Sequence, residues 1–160
     1  MRDFIKVAIG IIIAFLFYTI FSRVSPPVLL LFNVLSLVVI YFAVEKGEVF
    51  GSCLGAACGL IHDYFSFGVY GVGGLAKTAT GYLAGYLSKK IDIGPPLRNF
   101  FFLAVLIIFE LILWALLYFF IVPESINTGK GLIFIQPLST AFLGSVVFFF
   151  IRKLTTKNKY

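Results

Sequence analysis

Three ionisable residues, His62, Asp63 and Lys77, stand inside one apolar run, residues 51–85, of sequence GSCLGAACGLIHDYFSFGVYGVGGLAKTATGYLAG. A fourth, Glu110, stands alone within the apolar stretch 100–122. Carboxylate, imidazole and ammonium groups can transfer protons, pair as ions or hold a polar ligand. A charge inside an apolar segment is costly, so it is expected to face a protein interior and to have a partner. Nothing in the chain completes an active site around these groups. There is no G-x-S-x-G, no H-E-x-x-H and no phosphate-cradling glycine loop. His62 and Asp63 are neighbours with no nucleophile beside them. His62 is the one histidine, and Cys53 and Cys58 stand at no ligand spacing, so no metal site is expected. No catalytic residue and no cofactor are assigned, and the reading is non-enzymatic.

The same run carries glycines at four-residue steps, Gly51, Gly55 and Gly59, continuing to Asp63. Such steps drift about 40° each around a helix, so the four share one broad stripe. After a turn near Val69, Gly74, Thr78, Gly81 and Gly85 share a second stripe, with Lys77 at its edge. Small residues in this pattern let two helix backbones approach closely. Residues 51–85 are therefore expected to form a close-packed helical hairpin. Asp63 and Lys77 then lie at similar depth, roughly 9–12 Å in from the turn, and one expectation is that they pair across the hairpin. The alternative is that Lys77 snorkels to the outer interface while Asp63 caps the end of its helix. For His62 a hydrogen-bonded structural role is preferred to a proton relay. For Glu110, Lys77 is the one cation within the membrane segments; otherwise Glu110 stays protonated or faces a partner's polar group. Trp114, four residues on, marks the same face as a candidate partner surface. Asn33, Ser36, Gln136, Ser139 and Thr140 are expected to join helices through hydrogen bonds worth about 0.6 kcal/mol each.

The elements that must position these residues are membrane helices. Sixty-one per cent of the residues are hydrophobic and 12% charged, against about 25% charged in soluble domains. A water-soluble domain of this size could not bury so much apolar surface. Six apolar segments are expected to span the membrane, at about 5–21, 27–44, 49–65, 70–87, 100–122 and 132–151, within a single domain, 1–160. The first lacks an A-x-A-like cleavage site and is taken as a span, not a signal peptide. Ser25-Pro26-Pro27 opens the second segment, where proline suits a helix start, and Gly94-Pro95-Pro96 precedes the fifth. With the N-terminus inside, Arg2, Lys6, Lys46, Lys89, Lys90, Arg98, Arg152, Lys153, Lys157 and Lys159 fall on the inner side, against Arg23 and Lys130 outside. That bias predicts both termini in the cytoplasm. The net charge of +6 is distributed over segment ends and forms no basic face, so nucleic acid is not an expected partner. Cys53 and Cys58, five residues apart on one helix, point to different faces and are read as small filler.

Gly51-xxx-Gly55-xxx-Gly59-Leu60, then Asp63, a short turn with Gly71, and Gly81-Tyr82-Leu83-Ala84-Gly85 followed by Lys89 and Lys90 resemble the rod-shape-determining membrane protein family MreD of bacteria. The motif covers about a fifth of the chain, and the length and six-helix hydropathy plan match over the rest. His62 and Lys77 are not part of that pattern. The resemblance implies a multi-pass protein of the bacterial cytoplasmic (inner) membrane, with an all-α bundle similar to the substrate-binding S components of energy-coupling-factor vitamin transporters. It implies a non-enzymatic subunit of the cell-elongation machinery that binds MreC and acts with MreB, RodA and a class B penicillin-binding protein in peptidoglycan synthesis and cell shape. The alternative is a transporter S component, whose small-molecule pocket near the outer face would be lined by Asp63, His62 and Lys77. An accessory to membrane lipid or precursor translocation is a third expectation.

Overall fold

A computed structural model describes residues 10, 12, 15, 16, 19, 32–66, 69–91, 93, 95–121 and 132–157. Five helices follow one another in it: α1 (Val34–Lys46), α2 (Glu48–Ser66), α3 (Val72–Ser88), α4 (Pro96–Ile121) and α5 (Leu132–Lys157). Gly10, Ile12, Phe15, Leu16 and Thr19 are also helical. There is no strand among the described residues, so the class is all-α. Most of the expected first span, the start of the second at 27–31, and the loops carrying Arg23 and Lys130 lie outside the described residues, as do Arg2, Lys6 and Lys159.

The helix ends have local causes. Asn33 caps α1, its side chain accepting from the Ser36 amide at 3.3 Å. Gly47 closes α1 with φ +96° and donates its N–H to the Ala43 carbonyl, and α2 begins at the next residue. A side chain at Gly47 would strain that positive-φ, extended-ψ backbone. Gly71, with φ +93° and ψ −19°, opens α3 in the left-handed helical region, which Gly47, with ψ 178°, does not share. Pro96 starts α4, where its missing N–H costs nothing.

The bundle is built around α3. It packs along α2 and also touches α1 and α4, while α5 lies against α4. One core runs through Leu37, Ile40, Ala43, Ala84, Leu103, Leu106, Ile107, Ala141 and Phe148, joining α1, α3, α4 and α5. A second, of Leu35, Val39, Phe42, Leu54 and Cys58, joins α1 to α2. The outward face of α4 is a stripe of exposed Phe101, Val105, Ile108, Ile112, Leu116 and Phe119. Alone among the described helices, α4 is long and apolar enough, by length and composition, to cross a membrane.

Candidate functional site

Asn33 and Ser36 occupy the first turn of α1, and Lys77 lies about 7.5 Å along α3 from Val72. Glu110 is in the middle of α4 and Thr140 is on α5. These five residues meet in the bundle core. The Lys77 ammonium pairs with Glu110 Oε1, and both residues are at least nine-tenths buried. Its other protons go to Ser36 Oγ at 2.7 Å and Asn33 Oδ1 at 3.2 Å, so all three N–H groups of Lys77 have acceptors. Glu110 Oε1 also accepts from Ser36 Oγ at 2.6 Å and from Asn33 Nδ2 at 3.0 Å. Asn33 extends the cluster to α5, donating its backbone N–H to Thr140 Oγ1 at 3.1 Å. The two charges cancel, which is what makes burial of both tolerable. One acceptor is left over: Glu110 Oε2 is buried and has no hydrogen-bond partner among the described residues.

Asp63 does different work. It is buried near the end of α2, and its Oδ2 accepts from the backbone N–H of Gly71 at 2.9 Å and of Gly74 at 3.2 Å. Those are two of the amides that the first turn of α3 leaves without intrahelical partners. The carboxylate also sits at the positive end of the helix dipole. Gly73 makes room for it, since a Cβ there would fall on Asp63 Oδ1. His62 is about one-third exposed, with Nδ1 4.0 Å from Asp63 Oδ1.

The glycines bring α2 and α3 into backbone contact. A Cβ on Gly51 would meet the Gly81 carbonyl and Ala43. One on Gly55 would meet the Lys77 carbonyl, and one on Gly59 would meet the Gly73–Gly74 backbone. In the other direction Gly81 lies on the Gly51 carbonyl and Gly85 on the Gly47–Glu48 backbone, while Gly74 packs against the Leu60 side chain. At the other end of the hairpin Lys89 Nζ is 2.6 Å from Glu48 Oε2. The Lys89 ammonium, with a backbone hydrogen bond, holds the Glu48 carboxyl below its ordinary value of 4.5.

An Asp63–Lys77 pair across the hairpin is therefore not what forms. Gly55 packs on the Lys77 carbonyl, so the α2 side of α3 is occupied by backbone at that level, and the Lys77 side chain leaves toward α1 and α4. Nor does Lys77 snorkel, and Asp63 caps the start of the next helix, not the end of its own. Of the residues singled out in the sequence, Lys77 and Glu110 come together, while Asp63 and His62 stay apart from them at the hairpin turn. Asn33 and Ser36, expected as simple helix-joining groups, are the second half of the ionic cluster. Their signal was present, as polar residues in an otherwise apolar segment. Gly73 and Gly144 were missed. Gly144 packs against Leu37 and Leu103, and as an isolated glycine it has no pattern to announce it. Asn99, buried with Oδ1 unpartnered among the described residues, also gave no signal. No family model, curated protein or solved structure matches this chain.

Proposed function

We propose that this chain is a six-span subunit of the bacterial cytoplasmic membrane, with both termini in the cytoplasm. In this reading it is a non-enzymatic scaffold of the cell-elongation complex, of the kind that MreD proteins provide. It binds MreC and works beside RodA, a class B penicillin-binding protein and MreB. The observation that carries the proposal is the 51–85 hairpin, whose glycine-to-backbone contacts involve the residues on which the resemblance to that family rests. The exposed apolar stripes on α4 and on α5 (Ile135, Leu138, Phe142, Val146, Phe149) suit contact with lipid or with partner helices. The polar interior supports a scaffold over a vitamin-binding S component. Asp63 is engaged at a helix start, and Lys77 has no N–H left for a ligand.

The test is solubilisation in mild detergent followed by co-purification. MreC recovered with the chain is the expected result. A tightly bound vitamin or co-purifying ATPase subunits, without MreC, would overturn the proposal in favour of the transporter reading. Deleting the gene from a rod-shaped cell with no second copy should make the cells round.

A further inference from the structure

Lys89 and Lys90 are neighbours at the end of α3, yet the structure treats them differently. Consecutive residues leaving a helix point about 100° apart. Lys89 turns toward α2 and is neutralised within the molecule by Glu48. Lys90 turns the other way, along the exposed face that carries Tyr82 and Tyr86. Its Nζ donates to Tyr86 Oη at 2.6 Å and lies 4.4 Å from the centre of the Tyr86 ring. No carboxylate pairs with it among the described residues.

This arrangement is a preformed pair of donors. An ammonium has three N–H groups, and one is used on the phenol oxygen, so two remain. The phenol oxygen is an acceptor in that bond, which leaves its own O–H to donate outward, strengthened by polarisation. Tyr82, one turn earlier, stacks on Tyr86 with centroids 6.3 Å apart and planes 5° from parallel. The stack holds the Tyr86 ring, and with it the hydroxyl. A positive charge and two adjacent donors match the two non-bridging oxygens of a phosphodiester. Beside them the exposed rings of Tyr82 and Tyr86, and Ile91 just beyond, give an apolar bed of the kind found at a membrane interface.

We infer that Lys90 and Tyr86 form a binding site for the phosphate of an anionic phospholipid, with its glycerol and upper acyl chain lying against Tyr82. The inference rests on the membrane placement proposed above, in which this end of the bundle meets the anionic inner leaflet. An inorganic phosphate would use the same donors, but the apolar bed would add nothing to its binding.

The test uses the full chain in neutral detergent with dioleoylphosphatidylglycerol or dioleoylphosphatidylcholine added, and native mass spectrometry to count the lipid retained. The wild type and Lys89→Gln should retain phosphatidylglycerol in preference to phosphatidylcholine. Lys90→Gln should lower that preference about tenfold, the loss of one charge-assisted hydrogen bond. Tyr86→Phe, which keeps the ring and removes the hydroxyl, should lower it severalfold. Equal retention by Lys90→Gln and wild type overturns the site. Equal losses in Lys89→Gln and Lys90→Gln also overturn it, because the effect would then be one of charge alone. Displacement of the lipid by inorganic phosphate at comparable concentration overturns the lipid as occupant. Membrane placement is read separately, by carbonate extraction of membranes containing the chain, so its failure is distinguishable from failure of the site.

Discussion

Lys77 and Glu110 each depend on the other. A lone buried charge is far more costly than a matched pair, and a matched pair is often no better than well-packed apolar groups. Lys77→Met alone, or Glu110→Leu alone, should therefore destabilise the protein by about 3–5 kcal/mol. The double variant Lys77→Met/Glu110→Leu should recover most of the loss. Unfolding by detergent titration, followed through the single tryptophan, Trp114, measures all three. A double variant as unstable as the sum of the singles would refute the coupling. Asp63 makes a smaller contribution, at the start of α3. Asp63→Asn keeps one acceptor and should cost about 1 kcal/mol, in line with other helix caps. Gly73→Ala should cost more, because the added methyl would collide with the Asp63 carboxylate.

At the scale of elements, the hairpin of α2 and α3 depends on absent side chains. Gly55→Ala puts a methyl group on the Lys77 carbonyl, where only backbone movement can relieve it. A loss of about 1–3 kcal/mol is expected, the usual range for overpacking. Gly71→Ala offers a contrast. Nothing lies within 4 Å of a Cβ there, but φ is +93°, so the cost is backbone strain alone, about 1 kcal/mol. Thermal melts of the two variants in one detergent compare crowding with strain directly. The Glu48–Lys89 bridge joins the start of α2 to the end of α3. The Glu48 pKa is depressed in the folded state. Its stabilisation is therefore present above the unfolded value and is lost as pH falls through the folded one. Lys89→Gln should remove that part of the acid sensitivity, making stability flatter as pH falls below 4.5. Because the pair is solvent-accessible, the effect should also shrink in high salt.

Among the described helices, α1, α3, α4 and α5 meet at one ionic cluster, while α2 is held to α3 by its glycines and to α1 by the apolar core around Leu54 and Cys58. Loss of the cluster should loosen the packing of α1 and α4 on α3 while leaving the α2–α3 hairpin intact. Hydrogen exchange should then rise in residues 34–46 and 96–121 of Glu110→Leu, and change least in 51–66. Equal rises everywhere would mean that the bundle opens as one unit. If the chain spans the membrane six times, a reporter fused after Tyr160 should be cytoplasmic, and one inserted near Lys130 should lie outside.

The hairpin was legible in the sequence because its cause is local. Glycines four residues apart share a helix face whatever surrounds them, and two such faces joined by a short turn can meet backbone to backbone. The helical class was legible for a similar reason, since long apolar segments with few charges leave little choice but helices. The partner of Lys77 was open on those grounds. Distance from the turn gives a residue's height along its helix, which Asp63 and Lys77 do share, but it does not give the direction of the side chain relative to other helices. That direction was decided by Asn33, 44 positions away, and Glu110, 33 positions away. Only the assembled bundle brings them together, and the glycine contact that was legible in the sequence turns Lys77 toward them.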